Sequence, residues 1–191
     1  MIREKNKEKR VAWAKENLEN NFEYVVWTDE SMIQLENHRT FSYRKIGAAP
    51  KPKARSKNPF RVMVWAGISK KGATNICIIK GSADSLGYQE ILQTHLIHFL
   101  QGKLPQGKFQ QDNAPCHTSV STRTFLEDHG IDVRKTPAES PDLNPIENLW
   151  YELKHFIRTS AKPRNKDELL DAIKHFGQLL LLKSVHGTLI T

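Results

Sequence analysis

The sequence predicts an α/β fold: a mixed five-stranded sheet flanked by helices, with a basic insertion after the first strand. Three observations predict it. Apolar, β-branched runs of strand length crowd the first half of the chain. Segments with helical spacing alternate with strands in the second half. A short polar turn joins two of the early strands, so the sheet has antiparallel pairs before the alternating, parallel part begins.

Residues 3–19 read as a charged helix carrying Val11, Trp13 and Leu18. "EYVVWTDES" (23–31) reads as a short buried strand, because its β-branched and aromatic run stops abruptly in polar residues. "TFSYRKIGAAPKPKARSKNP" (40–59) starts with strand-like alternation at Phe41 and Tyr43. It then becomes a Lys-rich loop whose three prolines forbid regular structure. "FRVMVWAGIS" (60–69) and "ATNICIIKG" (73–81) are the next strands, with "SKKG" (69–72) as their hairpin turn. "YQEILQTHLIHFL" (88–100) has helical spacing, "GKFQQD" (107–112) is the fourth strand, and "TSVSTRTFLEDHG" (118–130) is a helix stopped by Gly130. "IDVRKTP" (131–137) is the fifth strand. In "NPIENLWYELKHFIRT" (144–159), Ile146, Leu149, Trp150, Leu153 and Phe156 share one face, with Asn144 as N-cap and Pro145 at the first helical position. "KDELLDAIKHF" (166–176) is a last helix capped by Asn165, and Trp27, Trp65 and Trp150 are core residues. This order of elements is that of the ribonuclease H fold.

At 191 residues the chain suits one domain, and 38% hydrophobic with 26% charged residues fits a globular protein. No apolar run approaches the ~18 residues of a membrane span, and the charged start lacks a signal core. Cys77 and Cys116 are too few and too far apart for a zinc ribbon or a disulfide framework, which favours a reducing compartment. The net charge of +8 is localised. From Arg39 to Lys80 there are eleven Lys or Arg and no Asp or Glu, which leaves 18 basic against 21 acidic residues elsewhere. A basic stripe of this kind marks a polyanion partner, with nucleic acid first in line, or else a solvated loop.

Three acidic residues stand out by position. Asp29 ends the first strand, Asp112 ends the fourth, and Glu147 opens the helix after the fifth. In open α/β sheets ligands gather beyond the strand ends. With strands one and four parallel neighbours, Asp29 and Asp112 are expected side by side, where they repel unless a cation lies between them. Hard oxygen ligands select Mg2+ or Mn2+, and a third carboxylate from the flanking helix completes a two-metal clamp for in-line attack on a phosphodiester. Each residue also has a plainer reading. Asp29 can cap a turn, Asp112 can form an Asx turn with "NAP", and Glu147 stands where a capping box places a Glu. Asp132, Glu139 and Asp142 lack this placement, with Asp142 the best substitute for Glu147. His117 reads as a polar neighbour of the site.

"VVWTDES", "FQQDNAPCHTS" and "SPDLNPIENLWYELK" resemble the three signature blocks of mariner-type transposases, in the Tc-like branch. The 34 residues between Asp112 and Glu147 match the spacing of that branch, and "RVMVWAGISKKG" is similar to its second and third strands. The resemblance covers about residues 1–176. It implies a ribonuclease H-like catalytic domain over residues 21–176, with Asp29, Asp112 and Glu147 as catalytic triad and as ligands of two Mg2+ or Mn2+ ions. It further implies cut-and-paste DNA transposition and integration. Residues 1–20 correspond to the helix that connects this domain to the family's paired helix-turn-helix domains, which are expected to be absent here. Residues 32–59 correspond to the loop that reaches a partner subunit, so a homodimer on double-stranded DNA is expected. Arg44, Lys45, Lys51, Lys53, Arg55 and Lys57 are the candidate DNA-binding residues. The expected location is the nucleus, with "KPKARSK" as a candidate import signal. The tail "GQLLLLKSVHGTLIT" (177–191) departs from the family's polar ending, as in a truncated copy. Two other readings remain: a different ribonuclease H-like nuclease, or a transposase-derived DNA-binding protein without activity.

Overall fold

The structure, a computed structural model, describes residues 3–35, 46–47, 58–81 and 84–185. Phe41, Tyr43 and the six candidate DNA-binding residues Arg44, Lys45, Lys51, Lys53, Arg55 and Lys57 lie outside the described residues, as do 186–191. The helices are α1 (Glu4–Glu16), α2 (Ser85–Ile91), α3 (His98–Lys103), α4 (Pro115–Thr118), α5 (Val120–Asp128), α6 (Ile146–Phe156) and α7 (Lys166–Val185). A π-helical segment, Leu92–Ile97, makes α2 and α3 continuous. The strands are β1 (Val25–Gln34), β2 (Arg61–Ser69), β3 (Gly72–Ala73), β4 (Cys77–Ile79), β5 (Lys108–Gln110) and β6 (Val133–Arg134).

The sheet runs β3-β2-β1-β5-β6, with β4 also paired to β2. β1 is antiparallel to β2 and parallel to β5, and β5 is parallel to β6. The expected mixed sheet is therefore present, but with six strands rather than five. The third expected strand breaks in two because Thr74 turns its side chain into the ladder. Its hydroxyl accepts from Gly67 N–H at 2.8 Å, while its own N–H donates to the Gly67 carbonyl at 2.8 Å. β3 and β4 then pair separately with β2. The "SKKG" hairpin forms as expected, with Lys70 and Lys71 between β2 and β3.

Strand alternation sorts the core into two layers. Val25, Trp27 and Ile33 of β1 pack with β2 side chains against α6 and α7, through Leu149, Trp150, Leu153, Ile173 and Phe176. Val26, Trp65 and Phe109 pack on the opposite face against α2, α3 and α5. All three tryptophans expected in the core are buried. α7 continues past Gly177 to Val185, nine residues beyond the expected end, because Phe176 and Leu180 extend the buried stripe of Leu169 and Ile173 at helical spacing. Asn165 caps this helix as expected, its Oδ1 accepting from Glu168 N–H at 2.9 Å. The helix expected over 118–130 divides at Ser119, whose extended backbone caps α5 and whose Oγ accepts from Thr122 N–H at 3.2 Å.

Gly67 is a tightly packed point of the sheet. A Cβ there would stand 3.1 Å from methyl groups of Val26, Thr28 and Thr74, three buried β-branched side chains with little rotamer freedom. We expect Gly67→Ala to destabilise the fold by about 1–3 kcal/mol, as overpacking does. Urea melts of both proteins check this, and an unchanged or higher midpoint in the variant contradicts it.

Candidate active site

β1 outruns its parallel neighbour, and this places the first two carboxylates. The β1–β5 ladder ends where Trp27 pairs with Gln110, while β1 continues along β2 as far as Gln34. Asp29 thus lies mid-strand and not at the end of β1 as expected. It is nonetheless two residues beyond Trp27, just as Asp112 is two residues beyond Gln110. Both acids stand at the same level, past the last parallel hydrogen bonds. By alternation Asp29 shares the face of Trp27, which α6 covers, and Trp150 Nε1 donates to Asp29 Oδ2 at 3.3 Å.

The third carboxylate arrives through Asn144. Its Nδ2 donates to the Thr28 carbonyl at 3.2 Å, and its Oδ1 accepts from Ile146 N–H at 3.3 Å. Asn144 is extended and Pro145 right-handed helical at the N-cap position, so α6 begins at Ile146, one residue later than expected. Glu147 follows in the first turn of α6, exposed to solvent. The capping-box reading of Glu147 loses its donor, because the Asn144 N–H is given to the Pro141 carbonyl at 2.9 Å.

The electrostatics differ sharply between the two aspartates. Burial is the main cause that raises the Asp29 pKa to about 6; the Glu30 backbone N–H opposes it, and the charges of Glu30, Glu147 and Asp112 add to the rise. Asp29 therefore senses both other acids of the expected triad. Asp112 is held below the usual carboxylate range, first by His117, whose Nδ1 stands 2.6 Å from Asp112 Oδ1, with burial opposing and the Ala114 N–H assisting. The Ala114 N–H reaches the same oxygen at 2.9 Å, so the Asx turn exists alongside the acid pair.

His117 is buried, and both its ring nitrogens face carboxylates, with Nε2 3.4 Å from Glu30 Oε1. Burial alone lowers its pKa, but the hydrogen bonds and charges of Asp112 and Glu30 outweigh that and push it up to about 10. It is thus an imidazolium at neutral pH. Tyr88 stacks on it at 3.9 Å between ring centres and donates its hydroxyl to Gln111 Oε1 at 2.7 Å.

Sequence reasoning missed Glu30, Tyr88 and the polar role of Trp150. The alternation of "TDES" carried the signal for Glu30, since adjacent acids on a strand point to opposite faces. Asp142, the expected substitute for Glu147, is engaged elsewhere: Arg10 grips both its oxygens, at 2.8 and 2.5 Å. Glu139 and Asp132 are likewise paired, with Arg3 and Lys108. Among the described residues no three His, Cys, Asp or Glu side chains already converge at metal-ligating separations.

Residues 24–170 match the model of the DDE superfamily endonucleases. The Tc3 transposase of Caenorhabditis elegans is 36% identical over 149 residues, which cover 76% of this chain and 45% of that protein. The Tc1 transposase of the same organism is 28% identical over 195 residues, covering 97% of this chain and 71% of that one. The chain thus spans under half the length of its Tc3 relative. Among solved structures, the mariner Mos1 paired-end complex with Mg aligns at a TM-score of 0.76 and 18% identity, over 98% of this chain and 60% of that one. The Mos1 catalytic domain with raltegravir and Mg aligns at 0.67 and 20% identity, over 98% of this chain and 92% of that one. These structures share the ribonuclease H-like arrangement of sheet and helices. With residues 24–170 matched by the family model, the chain belongs to the DDE superfamily endonucleases, in the branch of Tc-type and mariner transposases.

Proposed function

We propose that this chain is the catalytic part of a transposase, cutting and joining double-stranded DNA with two Mg2+ or Mn2+ ions held by Asp29, Asp112 and Glu147. The observation that carries the reading is the level shared by Asp29 and Asp112 past the parallel ladder, with the charge of Glu147 felt at Asp29. The donor set fits such ions. All three donors are carboxylate oxygens, Asp29 is half-buried with no cationic partner among the described residues, and the Asp112 side chain is 58% exposed. When bound, the metal pair supplies charge stabilisation for in-line displacement at phosphorus. Related Mos1 structures hold Mn or Mg with paired transposon ends, which supports both the ions and the DNA substrate for this chain.

The chain's own residues supply the rest. Trp150 and Thr28 fix Asp29 and the strand that carries it. The single positive charge of His117 faces both Asp112 and Glu30, which limits repulsion among the acids. The segment from Arg44 to Lys57 is assigned to DNA phosphates, residues 32–59 to a second subunit on the DNA, and the protein to the nucleus. Residues 1–20 are read as the connecting helix, 21–176 as the catalytic domain and 177–191 as an atypical tail.

Three outcomes follow from this reading. Asp112→Asn keeps the Asx turn but removes the charge. It is expected to lower Mn2+-dependent nicking of supercoiled DNA by about a hundredfold or more, the scale for losing a group that stabilises the transition state. The melting temperature of the wild type is expected to rise with Mn2+ and that of the variant to stay flat; equal responses contradict the role of Asp112.

The raised pKa of Asp29 fixes the sign of a pH effect. A carboxyl that titrates near 6 when folded and near 3.8 when unfolded stabilises the fold fully below pH 3.8 and loses that contribution as pH rises through 6. Without metal, Asp29→Asn is therefore expected to be more stable than the wild type at pH 7.5, by about 1–3 kcal/mol, with the advantage vanishing near pH 4. Paired denaturant melts at the two pH values check it, and a pH-independent difference contradicts it.

Reversing Lys51, Lys53, Arg55 and Lys57 to Glu is expected to weaken duplex binding. It should also lower the slope of log K against log salt by about one unit for each phosphate that is no longer neutralised. Unchanged binding by the folded variant makes this segment a bystander.

A further inference from the structure

We propose that α1 is a positioning element for the third carboxylate: Arg3, Asn6 and Arg10 hold the β6–α6 connection in the conformation that delivers Glu147. The inference rests on the two-metal reading above and assigns the residues that set the geometry of that site.

α1 has no apolar face to dock. Asn6 is its one buried residue, and Val11 is 54% exposed. A polar helix of 13 residues is marginal in water, so its place depends on specific contacts. Among the described residues, its long-range hydrogen bonds, with those of its caps Arg3 and Asn17, all involve residues 134–142, the Arg134 guanidinium donating to Asn17 Oδ1. Trp13 Nε1 donates to the Lys135 carbonyl at 3.1 Å, and the Arg134 guanidinium lies over the Trp13 and Phe22 rings at 5.3 and 4.8 Å. Arg3 donates to both Glu139 carboxylate oxygens, through N–H at 3.1 Å and Nε at 2.7 Å, and the Asn6 side chain bonds to the same carboxylate. Arg10 donates to the Glu139 carbonyl at 3.2 Å and grips the Asp142 carboxylate with both terminal nitrogens.

Glu139 needs such holding. Its φ of +57° lies in the left-handed region, which a residue with a Cβ adopts only when its surroundings impose it. Every acceptor it offers to α1 is used, side chain and backbone alike. Three residues later, Asp142 sits in the 3-10 turn Pro141–Leu143, whose Pro141 carbonyl takes the Asn144 N–H. Asn144 in turn bonds to the Thr28 carbonyl, and its own carbonyl accepts from the Glu147 N–H at 3.2 Å. The approach to α6 is therefore pinned from two sides, by β1 at Asn144 and by α1 at Glu139 and Asp142. Without the α1 side, Glu147 keeps its helix but loses its fixed distance from Asp29 and Asp112. Exposed ion pairs contribute little to global stability, so the consequence falls on the site rather than on the fold.

The test uses the whole chain and Mn2+ as the probe. Thermal melts across a Mn2+ titration give the concentration for half-maximal stabilisation, and nicking of supercoiled DNA gives the concentration for half-maximal rate. For Arg10→Met, both midpoints are expected to rise by about 10-fold, the lower end of the range for groups outside the ligand shell. The metal-free melting temperature should move little, and the rate at saturating Mn2+ should approach that of the wild type. The charge reversal Arg10→Asp with Asp142→Arg restores the pair and is expected to bring both midpoints back toward the wild-type values. Unchanged midpoints in Arg10→Met overturn the inference. So does a large loss of metal-free stability without a midpoint shift, or a charge reversal that restores nothing. A wild type that does not respond to Mn2+ overturns the two-metal reading and this inference with it, whereas a responsive wild type and an equally responsive Arg10→Met overturn this inference alone.

Discussion

The buried hydroxyl of Thr28 donates to the Gln110 carbonyl at 2.8 Å, while the Thr28 carbonyl accepts from Asn144 at 3.2 Å. Through these two bonds one residue of β1 holds the end of β5 and the entrance to α6. The residue after Thr28 is Asp29, two residues after Gln110 comes Asp112, and three after Asn144 comes Glu147. The three acids are thus hung from a common point, although they lie far apart in sequence. Thr28 occupies that point because Gly67 opposite it has no side chain: the Thr28 methyl stands 3.1 Å from where a Cβ would be. Packing on one side of the sheet and placement of the carboxylates are the same constraint seen from two directions.

Around this frame the protein treats its acids unequally. Asp112 and Glu30 share an imidazolium, which keeps Asp112 ionised and ordered. Among the described residues Asp29 has no such cation; an indole N–H and a backbone N–H are its donors, and partial burial leaves it reluctant to ionise. A buried carboxylate left short of positive charge destabilises the fold at neutral pH, and a site of this kind gains most when a cation enters it. The strain at Glu139, held by α1, belongs to the same pattern of local cost near a site offset by contacts further out.

Much of this is legible in the sequence. The sequence pattern marks the helices expected over 88–100, 118–130, 144–159 and 166–176 but not the short α4, and the abrupt end of "YVVWTDE" marks the level of Asp29. What fails has physical causes. The length of β1 is set by its partner β2 and not by its own composition, so Asp29 lies mid-strand. The break between β3 and β4 comes from one threonine hydroxyl entering the ladder, a choice between two partners that a β-prone sequence does not display. The last helix is expected to end at Phe176, yet the apolar stripe of α7 continues past Gly177 to Leu180. His117 reads as a neighbour of the site and is one, but its second carboxylate, Glu30, is visible only once the sheet fixes which face each residue takes.

The central claim is that Asp29, Asp112 and Glu147 form one site for two divalent cations. Anomalous diffraction from crystals of the whole chain grown with Mn2+ tests it most directly. Two peaks are predicted, one between the carboxylates of Asp29 and Asp112 and one within reach of Glu147. Peaks only at other acids, or a single ion bound without Asp29, would contradict the account.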